Sequence, residues 1–156
     1  MNIKKTILLI FLFNFLSSQE IISGYLREVE TSFCMDLCSE YTLETEDGDF
    51  LSYLYNENNI DLSILINRFV DVEISSLHQC LMCEAYIINA IHLSSDCDYP
   101  VTCVIDPCEI ADCDLSSIIE CESNYCGGCY ADFYDLSGNL VDCNNNQVTL
   151  PCDDIG

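Results

Sequence analysis

From residue 21 to residue 93, apolar and polar positions alternate in short runs separated by turn residues. That is the period-two pattern of strands with one buried face. The first run is IISGYLREVE (21–30), and the second is SEYTLET (39–45), reached through a cysteine-bearing turn, FCMDLC. Glu46-Asp47-Gly48-Asp49 follows, where Asp-Gly predicts a hairpin turn, and FLSYLYN (50–56) makes a third strand. Asp61 is placed to cap a short helical turn, LSILI (62–66), in which Leu62, Leu65 and Ile66 recur at helical spacing. RFVDVEI (68–74) then alternates strictly, Val70, Val72 and Ile74 against Asp71 and Glu73. AYIINAIHL (85–93) closes the segment as a mostly apolar strand.

The grammar changes near Ser94 to Asp98. Nine of the chain's 13 cysteines fall between Cys97 and Cys152, with few apolar runs between them. Only one regular element is predicted there, a hairpin of Tyr130–Tyr134 and Asn139–Cys143 around Leu136-Ser137-Gly138. The division is therefore residues 20–94 as a β domain and 95–156 as a cysteine-rich disulfide module with a loose polar tail.

Ahead of both, residues 1–19 read as a signal peptide. Lys4 and Lys5 precede an apolar run, Ile7 to Leu16, broken only by Asn14, and Ser17-Ser18-Gln19 supplies a small-residue exit. The run is about ten residues, short of the ~20 that span a bilayer. No later stretch is long enough to anchor the chain, so no membrane anchor is expected and the protein is read as secreted and extracellular.

Cleavage would remove both lysines. Arg27 and Arg68 then face 27 acidic residues, a formal charge of −25 where the full chain carries −23. Affinity for nucleic acid rests on neutralising phosphates with Lys and Arg, so DNA, RNA and anionic membranes are excluded as partners. An unknown extracellular protein or a cation stays open. The sequence contains no Asn-x-Ser/Thr sequon for N-glycosylation.

In an oxidising compartment a cysteine density of this kind reads as a disulfide framework supplementing a small core. Cys34, Cys38, Cys80, Cys83, Cys97, Cys103, Cys108, Cys113, Cys121, Cys126, Cys129 and Cys143 are assigned to it. Thirteen is odd, and Cys152, isolated after Pro151 and an asparagine run, is taken as free or intermolecular, which leaves a disulfide-linked homodimer open. Three uses compete for Cys126-Gly127-Gly128-Cys129. A redox centre needs a low-pKa thiolate beside a cation or a helix N-terminus; here no Lys or Arg is near and acids abound. Zinc between Cys80-x2-Cys83 and Cys126-x2-Cys129 would need 42 intervening residues, beyond the usual spacing. A structural staple remains, with the glycines allowing a turn tight enough to send neighbouring cysteines to different partners.

No catalytic or cofactor-binding residue is assigned, and the protein is expected not to be an enzyme. His78 is placed in a loop and His92 on the Tyr86-Ile88-Ala90 face of its strand, as a partly buried structural residue. There is no G-x-S-x-G elbow. Glu44, Glu46, Asp47 and Asp49 cluster around a turn and are weak calcium candidates, since their positions do not match an EF-hand loop; a solvated hairpin turn is the simpler account. Calcium is the one cofactor left open.

Three strands, a short helix and two strands, with G-Y-L at the opening, L-E-T-E-D-G at the first hairpin and R-F-V-D-V after the helix, resemble an OB-fold barrel. The expected fold class is thus mainly β, a small OB-like five-stranded barrel plus a disulfide-rich C-terminal module. The resemblance implies a ligand surface on strands 2 and 3 with the 1–2 and 4–5 loops. It also puts Cys34 and Cys38 in one loop and Cys80 and Cys83 in the other at one barrel end, implying two disulfides between them. Asp106 to Cys108, Asn124 to Cys129, Ala131, Phe133 and Cys143 resemble small cysteine-rich modules of extracellular proteins, and Asp-Pro-Cys is similar to the opening of follistatin-like modules. The function these imply is a secreted, disulfide-stabilised binding or structural protein. The alternative is a secreted protease inhibitor of netrin or tissue-inhibitor architecture. Such inhibitors present a cysteine at the mature N-terminus, whereas this chain reaches Cys34 only later.

Overall fold

The computed structural model describes residues 20–29, 40–113 and 115–143, with the side chains of Ile118 and Ile119 left aside. Residues 1–19, Cys34, Cys38 and Cys152 lie outside the described residues, and so do the readings that rest on them. The protein is mainly β. Strands β1 (Glu20–Glu28), β2 (Tyr41–Glu44), β3 (Phe50–Tyr55), β4 (Phe69–Gln79) and β5 (Glu84–Leu93) come first. A four-residue helix α1 (Pro107–Ile110) follows, then β6 (Ile118–Asn124), β7 (Tyr130–Asp135) and β8 (Leu140–Val141).

The first five strands form a closed sheet in the order β1-β2-β3-β5-β4, and β1 pairs again with β4. All neighbours are antiparallel except β3 and β5, which run parallel. Closure buries one face of each strand. Leu26, Leu43, Leu54, Val70, Val72, Ile74, Ile88 and Ile91 fill the interior, and Leu62 and Leu65 cover it from the connection between β3 and β4. That connection is a 3-10 turn, Ser63–Leu65. The cap position is Leu62 and not Asp61 as expected; Asp61 precedes it, its carboxylate accepting from the Ser63 amide at 3.1 Å and the Ser63 hydroxyl at 2.7 Å. At the Asp47-Gly48 turn, Gly48 has φ +82° and donates its N–H to the Thr45 carbonyl.

Two irregularities in the β4–β5 ladder decide which side chains face out. Glu73 pairs with Ala90 but Ile74 with Ile88, so β5 carries an extra residue at Asn89; Leu77 pairs with Tyr86, so β4 carries one after Ile74. Each bulge reverses the alternation beyond it. Ile88 and Ile91 both point inward as a result, and His92 is exposed, opposite Asp71. The expected partly buried His92 is corrected on that ground. His78 is corrected too: β4 runs on to Gln79, so His78 lies on a strand, opposite Ala85, with its ring 4.7 Å from that of Tyr55.

The C-terminal region holds more regular structure than its spacing predicts. β6, β7 and β8 form a three-stranded antiparallel sheet, of which only the last two strands were expected. Four disulfides hold it: Cys97–Cys126, Cys103–Cys129, Cys108–Cys121 and Cys113–Cys143. The two sheets touch. Leu140 packs against the interior cluster of the first sheet, and buried Asn124 donates to the Ser94 carbonyl at 3.2 Å.

Candidate functional site

The Cys-Gly-Gly-Cys turn links β6 to β7 and sends its two sulfurs in different directions. Cys126 is buried and bonded to Cys97; Cys129 is bonded to Cys103. Gly127 makes this possible with φ +73°, and a Cβ there would meet the Tyr25 ring at 2.6 Å. The turn thus closes on β1 of the first sheet as well as on the segment from Cys97 to Cys103. Asn124 fixes its start, its Oδ1 accepting from the Cys126 amide at 3.0 Å.

Along the β6 end of this hairpin lie residues 101–108, braced at both ends. Its near leg is held by the Val101 N–H, which donates to the Tyr125 carbonyl at 2.8 Å, and by Cys103–Cys129. Its far leg is held by Cys108–Cys121 and by Asp106. The Asp106 carboxylate accepts from the Cys108 amide at 2.9 Å, the Tyr125 hydroxyl at 3.1 Å and the Ser123 hydroxyl. The Ser123 hydroxyl is the largest of the effects that hold the Asp106 carboxyl below the ordinary carboxylate range. Asp106 caps α1, with Pro107 at the first helical position, where its missing N–H costs nothing.

Between the legs the chain bends at Val104 and Ile105. Val104 is 97% exposed and Ile105 44%. Leu115, Ile110 and Tyr99 of the same region are exposed as well. Large apolar side chains are thus held outward on a cross-linked frame, where they add nothing to a core.

Other candidates are scattered. Among the described residues, no three histidines, thiols or carboxylates come together in a way that could hold a metal ion. Glu44 is taken up by Arg27, whose Nε lies 3.3 Å away, while Asp49 uses its backbone N–H on the Thr45 hydroxyl. Glu44, Glu46, Asp47 and Asp49 therefore share a turn without forming a ligand set. Cys80 and Cys83 are both disulfide-bonded and bracket a tight turn in which the Cys80 amide donates to the Cys83 carbonyl at 2.9 Å.

One constellation escaped the sequence. β1, β4 and β5 align Ser23, Asp71 and His92 in a single cross-strand row. The Ser23 hydroxyl donates to Asp71 Oδ1 at 2.6 Å. The order is wrong for nucleophile activation, which needs the imidazole between the hydroxyl and the carboxylate. Here the carboxylate sits in the middle and consumes the serine proton donor itself. Only register could have revealed the row, and the bulge at Asn89 hides it from a count of alternating positions.

No family model, curated protein or solved structure matches this chain. No helix among the described residues is long and apolar enough to cross a membrane, and the several disulfides are compatible with an extracellular location.

Proposed function

We propose that the chain is a secreted, disulfide-stabilised binding protein without catalytic activity, made of an OB-like barrel and a cysteine-rich module. The observation that carries the proposal is the outward display of Val104, Ile105, Ile110 and Leu115 on a frame cross-linked by four bridges. A module that gains rigidity from disulfides need not spend its apolar residues on a core, and is free to offer them to a partner. Support for the OB-like half comes from the strand order β1-β2-β3-β5-β4, the parallel β3–β5 pair and the short turn between β3 and β4. The absence of activity is favoured by the unproductive order of Ser23, Asp71 and His92.

The partner is an extracellular protein, and nucleic acid is not a ligand at a formal charge of −25 after leader removal. Residues 1–19 act as the leader, Cys34 and Cys38 bridge to Cys80 and Cys83, and Cys152 is the unpaired sulfur available for a homodimer. Calcium at the Glu44–Asp49 turn is a secondary reading, favoured only by the density of carboxylates there.

The test is expression of the full chain in a secreting eukaryotic host, with the N-terminus and disulfides of the medium fraction mapped by mass spectrometry. The expected result is a chain beginning near Gln19 or Glu20 with Cys97–Cys126 and Cys103–Cys129 intact. Retention inside the cell with free thiols would overturn the proposal.

A further inference from the structure

We infer that the Val104–Ile105 segment is a substrate-like loop that occupies the active-site cleft of a cationic serine endopeptidase with a small apolar primary pocket. The inference rests on the proposed role as an extracellular binding protein and names its surface and partner.

Three observations point to that occupant. The side chain offered is Val104, 97% exposed and followed by a partly exposed Ile105, so an apolar pocket rather than an acidic one receives it. Trypsin-like pockets need Lys or Arg, and neither occurs anywhere from residue 69 to residue 156. Charge supplies the second element: a chain with 27 acidic residues attracts a basic enzyme and speeds its approach.

The third observation is covalent. Cys103 stands immediately before Val104 and Cys108 three residues after Ile105, and they are bonded to Cys129 and Cys121 on the same β6–β7 hairpin. Attack of the enzyme's serine on the Val104 carbonyl breaks the bond to Ile105, whose nitrogen takes up the proton. In the resulting acyl-enzyme the Val104 carbonyl carbon is held as an ester of that serine, and hydrolysis of this ester by water to the Val104 carboxylate is the competing branch. The two new ends cannot leave one another, because both remain tied to the hairpin and Asp106 keeps its three hydrogen bonds. The Ile105 amine therefore stays beside the acyl group and re-forms the peptide bond, expelling the enzyme's serine. Held reactants of this kind reach effective concentrations far above those in solution. Cleavage is reversible, product release fails, and the enzyme is blocked rather than fed.

The test uses the full oxidised chain from a secreting host against a cationic elastase and against trypsin, each assayed with a chromogenic peptide. Elastase should be inhibited and trypsin not. Val104→Asp should weaken the inhibition about 100-fold, as expected for loss of a central anchor residue, while Leu136→Asp, at an exposed position in another turn, should leave it unchanged. On long incubation, intact and Val104/Ile105-nicked chains should approach one ratio from either starting form. Both variants must retain the four bridges, which peptide mapping checks directly. Rapid one-way cleavage, inhibition that survives Val104→Asp, equal inhibition of trypsin, or no inhibition by a correctly bridged secreted chain would overturn the inference. The last result leaves the secreted binding role standing, whereas free thiols in the medium fraction would remove both.

Discussion

Arg68 and Asp132, 64 residues apart, meet in a buried ion pair between the two sheets. One guanidinium nitrogen, Nη2, donates to both carboxylate oxygens at 2.8 Å, and the two side chains are only 9% and 4% exposed. Tyr130 completes the contact, its ring centre 3.8 Å from the guanidinium carbon. A guanidinium suits this position because it stacks and hydrogen-bonds at once and is weakly hydrated. The pair ties the first sheet to the β6–β7–β8 sheet. A buried pair is poor evidence of net stability, but breaking it is costly because one charge is left without a partner.

Asp132→Ala should therefore destabilise the protein by about 3–5 kcal/mol. The double variant Arg68→Met/Asp132→Leu, which removes both charges, should recover most of that loss. Denaturant unfolding followed by circular dichroism reads both. Equal destabilisation by the single and double variants would show that packing, and not charge, dominates this junction.

Gly127 and Gly138 provide a matched comparison, since both have strongly positive φ, +73° and +77°. A Cβ at Gly138 would enter open space, whereas at Gly127 it would lie 2.6 Å from the Tyr25 ring. Gly138→Ala should cost about 1 kcal/mol, the backbone penalty alone. Gly127→Ala should cost clearly more, because the turn must withdraw from β1. Thermal unfolding of the two variants side by side settles it; equal losses would mean that Tyr25 yields freely.

The strands of residues 20–94 were legible because alternation survives in Val70, Val72 and Ile74, and because Asp61 and Asp47-Gly48 are local turn signals. What escaped is non-local. The orientation of His92 depends on a bulge at Asn89, where one extra residue reverses the face without changing composition. β6 was missed because Ile118–Asn124 carries Glu120, Cys121 and Glu122 in its middle, a polar strand whose neighbours are disulfides rather than a core. The Arg68–Asp132 pair needed the docking of two sheets before either residue could be matched to the other. Cys126-Gly127-Gly128-Cys129 was legible as a staple, but the 101–108 loop tied to it was not, and Val104 looked like any other apolar residue until burial was known.

Acid sensitivity should concentrate in the braced loop, the β7–β8 turn and the turn at Asp61, whose carboxyl pKa is lowered by the Ser63 hydroxyl and amide. Hydrogen bonds, led by that from the Ser123 hydroxyl, lower the pKa of Asp106, and the Asn139 backbone and side chain do the same for Asp135. A carboxyl whose folded pKa lies below its unfolded value stabilises the fold above that unfolded value, near pH 4. The contribution is lost as pH falls through the folded pKa. Unfolding midpoints should drop on acidification below about pH 4, and Asp106→Asn should flatten part of that fall. On the alkaline side burial raises the pKa of Tyr25, so stability should decline as pH rises beyond about 10, where the unfolded tyrosine ionises first. An acid limb unchanged by Asp106→Asn would show that the loop hydrogen bonds carry no linkage.

The outer face of β3 and β5 is the place to ask whether this sheet has nucleic-acid affinity. Phe50 and Tyr53 lie with ring centres 4.8 Å apart, and Tyr53 and Tyr55 pack beside Cys80, Cys83 and Ala85. Aromatic side chains on such a sheet can stack bases, each worth about 1–3 kcal/mol. Stacking is not enough by itself, since the strand must also have its phosphates neutralised. Arg68 and Arg27 are the basic residues among the described ones; Arg68 is buried against Asp132 and Arg27 is engaged by Glu44 and Asn67. Among the described residues no basic track is left to follow a backbone. The oxidised protein should show no binding to single-stranded DNA or RNA at physiological salt by fluorescence anisotropy, even at tens of micromolar. A micromolar complex that weakens with added salt and is lost in Tyr53→Ala would prove the expectation wrong and locate the site on β3.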